Sequence, residues 1–219
     1  MIPQEALPRI ITYMLLNYKY LIKWYAQNTL AYNHFKIVQM PIGLDYHTIT
    51  ENPSHSWKLL YELPHPRNQE NVIVNVKSNA VPFYERIPKI YVNFSMKNDK
   101  FKQRELSIAT INPELLAISN TFMPRTLVWN NIAKYAFVLS PFGNGMDCHR
   151  TWEVLCLGSI PIVKAPHFKN LFENLPVLNV NEWSDVNNQL LLDTIQIFKN
   201  TIFNYDKLTL TYWTNLFKI

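Results

Sequence analysis

Gly143, Gly145, Asp147, His149, Arg150 and Glu153 fall within one short stretch of the chain, and their types and spacing suit the binding of an anion, a phosphate above all. Residues 142–145, Phe-Gly-Asn-Gly, make a loop where the backbone can take positive φ and a bound group can come close to it. A helix follows, predicted over residues 148–157, and its N-terminus presents unpaired N–H groups and the positive end of a dipole. Arg150 lies in the first turn of that helix, where a cation is unfavourable for the helix itself. It makes more sense facing an external negative charge. Glu153 is one turn on from His149 and Arg150, so the three can share one face near the loop. A carboxylate there can accept from both hydroxyls of a ribose. Together with Asn144, these six residues are the candidate binding set.

Each of them alone has a plainer reading. Asp147 is well placed as an N-cap of the helix, and a filled cap would compete with a phosphate for the same N–H groups. Glu153 could pair with Arg150 on a solvated face, and His149 could be a surface histidine. The combination beside a glycine loop is what favours a site.

The elements around the stretch are those that position such a site. Residues 136–140, Ala-Phe-Val-Leu-Ser, have the length and composition of a buried strand, and Pro141 stops it. Gly158 ends the helix, and residues 159–163 read as a second buried strand. Strand, glycine loop, helix and strand make the βαβ unit of a parallel sheet. The chain has four glycines, and three of them (Gly143, Gly145, Gly158) sit in this unit, which places glycine where the backbone must approach something closely.

The segment SPFGNGMDCHRTWEVLCLGSIPIV resembles the signature of exostosin-like glycosyltransferases, roughly P-x-G-x-G-x-D-x-H-R-x-W-E-A-L-x-x-G-x-I-P-V-[IV]. Pro141, Gly143, Gly145, Asp147, His149, Arg150, Trp152, Glu153, Leu155, Gly158, Ile160 and Pro161 match it; Cys148 and Val154 depart mildly. The resemblance implies the nucleotide-sugar-binding, C-terminal-type domain of a GT-B fold, a Rossmann-like parallel sheet with flanking helices. By the same resemblance Glu153 holds the donor's ribose and Arg150 lies near its diphosphate. Residues 24–48, WYAQNTLAYNHFKIVQMPIGLDYHT, look like the stretch near the end of the first domain in that family, with Pro41-Ile42-Gly43-Leu44 at the crossing to the second.

The expected organisation is therefore a helical and strand remnant of an acceptor-type domain over 1–40, a proline-rich linker and cover over 41–88, and the nucleotide-sugar-binding domain over 89–219. Within these, residues 10–26 read as helix and 35–40 as strand. Residues 54–62 suit a short helix, and 71–76 fit strand or helix, with helix preferred. Residues 89–94 read as the first strand of the main domain. Helices are expected over 102–110, 124–134, 167–175, 183–200 and 206–219, and a strand over 176–180. Strands alternating with helices imply an α/β fold, with a ligand at the carboxyl ends of the strands.

Bulk properties agree with a packed protein. Of 219 residues, 48% are hydrophobic and 14% aromatic, which excludes disorder, and a net charge of +5 suits an anionic ligand while being too small to argue for nucleic acid. Lys97, Lys100, Lys102 and Arg104 form the nearest basic cluster. Cys148 and Cys156 lie eight apart on one predicted helix, too far for a bridge, so a reducing compartment is expected. With no secretory signal or membrane span in view, the expectation is a cytoplasmic protein. The apolar N-terminal helix could touch a membrane surface, and is better accounted for by packing against another element, the final helix.

The resulting expectation is a glycosyltransferase that moves a sugar from a nucleoside-diphosphate donor to a hydroxyl of a glycan or glycoconjugate. Arg150 and the helix N-terminus would stabilise the leaving diphosphate. No Asp-x-Asp pair is present, so neither a metal nor a cofactor is implied. Asp45 and His47 are the local candidates for a general base, although Asp45 serves equally as a turn residue. The chief alternative is a non-catalytic or split-enzyme module that binds nucleotide sugars, with a partner chain completing the acceptor site. A nicotinamide dehydrogenase is disfavoured because Cys148 stands where a third glycine would fall. A purely structural domain leaves the arrangement of Arg150 and Glu153 unexplained.

Overall fold

The computed structural model describes residues 6–29 and 34–217; parts of the expected N-terminal remnant (1–5, 30–33) and the end of the final helix (218–219) lie outside the described residues. The chain begins with α1 (Ala6–Asn17), β1 (Trp24–Ala26), β2 (Ile37–Gln39), α2 (His47–Glu51) and α3 (Pro66–Ser78). Strands and helices then alternate: β3 (Ile87–Val92), α4 (Gln103–Thr110), β4 (Leu116–Ile118), α5 (Arg125–Ile132), β5 (Tyr135–Leu139), α6 (His149–Cys156), β6 (Ile160–Val163), α7 (Lys169–Phe172), β7 (Leu178–Asn179), α8 (Asn188–Lys199) and α9 (Leu210–Asn215).

Five strands form one parallel sheet in the order β4-β3-β5-β6-β7. The period-2 alternation of the central strands sorts their side chains between two layers. Ile90, Phe137, Leu139, Ile160 and Ile162 pack on one side with Trp183, Leu191 and Ile195. Tyr91 and Val138 pack on the other with Ile73 and Val76 of α3, Trp129 and Ile132 of α5, and Val154 of α6. Each such side chain contributes roughly 1.5–3 kcal/mol when fully buried. The result is a Rossmann-like α/β fold. After β4 the chain returns across β3 to lay down β5, so the order reverses between β3 and β5, and the crevice above their carboxyl ends is where ligands bind in such sheets.

The βαβ unit over β5, α6 and β6 has the expected form, as do β3, α4 and α5 within a residue or two; α3 is the helix preferred over 71–76, but it starts earlier, at Pro66. Several expectations need correction. The helix expected over 10–26 ends at Asn17, and Trp24–Ala26 is instead a strand paired in parallel with Ile37–Gln39, as suits its aromatic residues. Residues 54–62 form turns; the short helix lies earlier, at His47–Glu51, where the Asp45 carboxylate accepts from Thr48 N at 3.0 Å. The 41–88 segment is more than linker and cover, because Ile73 and Val76 of α3 are buried in the sheet's outer layer. The helix expected over 183–200 is split: Trp183–Asp185 is a 3-10 turn, and the Asn187 side chain caps α8 by accepting from Leu190 N. The final helix is likewise a 3-10 turn, Tyr205–Leu208, and then α9, capped by Thr209. The edge strand β4 was not expected; three residues carry too short a pattern.

The N-terminal segment does meet the C-terminus, through Tyr25 of β1. Tyr25 Oη donates to Leu216 O at 2.6 Å, and its ring lies edge-on to Phe217 at 4.5 Å. Ile11, Tyr13, Met14 and Leu15 of α1 remain exposed.

Candidate functional site

The loop after β5, residues 140–148, rises into the crevice between β3 and β5. Asp147 does not cap α6. Cys148 takes the N-cap position, with extended backbone and no side-chain cap bond, and its own N–H faces the Asp147 carboxylate. The Asp147 carboxylate is buried and already engaged: Oδ1 accepts from Trp152 Nε1 at 2.8 Å and Oδ2 from Ile42 N at 2.7 Å. It therefore ties the 41–45 crossing to α6. Burial is the largest influence on this group and raises its pKa to about 6, against the lowering effect of its hydrogen bonds.

The glycines serve a different purpose from the one their number suggests. Neither Gly143 nor Gly145 takes positive φ; that conformation belongs to Gly43 and Gly158. Gly145 is needed because a Cβ there would lie 2.9 Å from Asn28 Oδ1. Asn28 reaches into the loop, where Oδ1 accepts from Asp147 N at 2.7 Å and Nδ2 donates to Asp147 O at 3.3 Å. Gly145→Ala must push Asn28 out of this position, and we expect it to cost about 1–2 kcal/mol of stability, the worth of the bonds lost. In an Asn28→Ala background the same substitution should cost little; additive losses in a double-mutant cycle by urea denaturation would refute the coupling.

Arg150 turns to the other side of the loop. Its Nη2 donates to Asn93 O, just beyond β3, and its guanidinium carbon sits 5.8 Å from the centre of the Phe94 ring. Its Nη1 is buried and has no hydrogen-bond partner among the described residues. Arg104, in the first turn of α4, approaches the same ring at 5.4 Å and donates from Nε to Phe142 O at 3.3 Å. Two guanidinium groups therefore converge beside the uncapped end of α6. Burial dominates in lowering the pKa of both; for Arg150 the Glu153 carboxylate acts to raise it and the charge of Arg104, a smaller influence, to lower it. A bound anion would relieve this crowding of positive charge. Arg104 was noted in the sequence only as part of a basic cluster. The signal that picks out Arg150, a cation at the wrong end of a helix, applies to it equally.

Glu153 makes no ion pair and no hydrogen bond among the described residues, so the plain reading in which it pairs with Arg150 does not hold. His149 and Arg150 open α6 and Glu153 follows one turn on, but they address different neighbours. His149 Nδ1 lies 2.8 Å from Gly43 O, on the side of the 41–47 crossing. Asn144 is exposed at the tip of the loop.

The crossing also brings Asp45 and His47 to α6. Asp45 Oδ1 lies 3.0 Å from His47 Nδ1, and the His47 and His149 rings are 5.8 Å apart. Ligand atoms of these three residues come within 4.8 Å of one another, close enough for a metal ion. The chemistry of the set opposes one. The Asp45 oxygens already accept from Thr48 N and Thr48 Oγ1, and Arg125 Nη2 stands 3.3 Å from Oδ2. Burial works to raise the Asp45 pKa, but the Thr48 bonds and the Arg125 and His47 charges outweigh it and hold it below the ordinary value. A cavity of about 450 Å³ between α3 and α5 is lined by Glu62, Asn71, Arg125 and Trp129, and none of the candidate binding residues reaches it.

No protein-family model matches this chain, and no curated protein is similar enough to it to count as a match. Among the described residues, no helix is long and apolar enough to cross a membrane.

Proposed function

We propose that the chain binds a nucleoside-diphosphate sugar in the crevice between β3 and β5 and transfers the sugar to a hydroxyl acceptor, as a glycosyltransferase of the GT-B kind. The observation that carries the reading is the buried, unpartnered Nη1 of Arg150 beside Arg104 and an α6 N-terminus without a side-chain cap. Leaving that donor unsatisfied costs about 1–3 kcal/mol, a cost that a diphosphate oxygen would offset. The same charges would stabilise the diphosphate as it departs. The Glu153 carboxylate, one turn along α6 and without an ion pair among the described residues, would accept from ribose hydroxyls.

The reading is tested by a thermal-shift screen over nucleoside diphosphates, in which at least one should stabilise the chain and inorganic sulfate at equal concentration should do so less. For Glu153, the expected result is a preference for ribo- over 2′,3′-dideoxynucleotides in the wild-type protein and none in Glu153→Ala. The loss should be about 1.5–3 kcal/mol for hydrogen bonds to a charged group. Equal discrimination by both proteins in calorimetry would remove Glu153 from the ribose site.

A further inference from the structure

We infer that His47 is the general base of this transfer, with Asp45 as its positioning residue; the inference rests on the donor site proposed above. The geometry sets the proton positions. A carboxylate can only accept, so with Asp45 Oδ1 at 3.0 Å the neutral His47 ring carries its hydrogen on Nδ1 and leaves the Nε2 lone pair free. Asp45 is itself held rigidly, by Thr48 N, Thr48 Oγ1 and Arg125, and stays ionised. The His47 side chain is 60% exposed while Asp45 is buried, so the dyad presents one basic nitrogen to solvent from a fixed support. It stands beside His149, whose Nδ1 hydrogen is likewise committed to Gly43 O, and so next to the first turn of α6 where the diphosphate would lie. The charged and titratable groups around His47 are Asp45 on the crossing, His149 on α6 and, behind Asp45, Arg125 on α5.

The step balances within these groups. The acceptor oxygen bonds to the anomeric carbon as its proton passes to His47 Nε2. The bond from that carbon to the diphosphate breaks, and its electron pair leaves with the nucleoside diphosphate toward Arg150 and the α6 N-terminus. A single displacement of this kind inverts the anomeric configuration.

The test uses the full chain and a panel of nucleoside-diphosphate hexoses, with calorimetry for binding and release of the nucleoside diphosphate to water for turnover. His47→Gln and His47→Ala should bind the donor as the wild type does and turn it over about 100-fold more slowly, within the range of a lost general base. Added imidazole should restore turnover to His47→Gly. Asp45→Asn should reduce turnover with binding kept; should it fail to fold, the exposed His47 variants decide alone. Unchanged turnover in the His47 variants, loss of donor binding in them, a retained anomeric configuration, or binding without turnover would each overturn the assignment. So would activity abolished by chelator and restored by manganese, which would make the cluster a metal site. If no panel member binds the wild type, the donor reading falls and the base with it.

Discussion

Arg150→Ala is expected to weaken nucleoside-diphosphate binding by about 1.5–3 kcal/mol, roughly ten- to a hundredfold, without lowering the stability of the ligand-free chain. The two halves of this expectation have one cause. In the free protein the guanidinium is held by one bond to Asn93 O and contact with Phe94, while Nη1 has nothing. Removing the group loses that bond and the attraction of Glu153, and in exchange relieves the burial of a charge with an unsatisfied donor and the weaker repulsion from Arg104. In the complex the same nitrogen would make a charge-assisted bond, so its loss is felt in full. Arg150→Lys keeps the charge but not the planar fork, and should recover only part of the affinity. Titration calorimetry and thermal unfolding of the free and nucleotide-bound protein read both effects. An Arg150→Ala chain that binds normally, or that is already unstable without ligand, would assign the residue to the fold instead.

The second large effect is on stability and concerns Asp147. Its pKa rises from 3.8 to about 6 on folding, because burial disfavours the charged form more than Ile42 N and Trp152 Nε1 favour it. The folded state therefore binds this proton more tightly than the unfolded state does. The stabilisation is fully present below about pH 4 and is lost as pH rises toward 6, a loss of about 3 kcal/mol at 1.36 kcal/mol per unit. Other groups titrate in the same range, so the variant Asp147→Asn is the reference. The difference in unfolding free energy between the two proteins should change by about 2.4 kcal/mol between pH 4 and pH 7, with Asp147→Asn gaining relative to the wild type. Parallel pH profiles in urea denaturation would rule out a buried, proton-binding Asp147. Since the carboxylate ties the 41–45 crossing to α6, its ionisation also bears on how firmly Asp45 and His47 are presented.

The βαβ unit was legible in the residues themselves. A continuous apolar run such as Ala136–Leu139 is buried on both faces wherever it lies, and an arginine in the first turn of a helix is out of place whatever surrounds it. These are short-range properties, so the parallel sheet and the loop at its carboxyl end follow from local pattern. The role of Asp147 did not follow, because its partner Ile42 lies 105 residues away and no local rule distinguishes a cap from a long-range clamp. The same holds for Asn28, which fills the space that Gly145 leaves open 119 residues along the chain from its bonding partner Asp147. Arg104 joined Arg150 only when β3 and β5 were set side by side at the point where the strand order reverses. Asp45 and His47 were visible as neighbours in a proline-flanked turn, but their support from Arg125 and their approach to His149 depend on how the crossing lies along α6. Secondary structure is set largely by interactions within a turn or a strand's width. A site is set by which side chains converge, and convergence across a hundred residues is decided by packing.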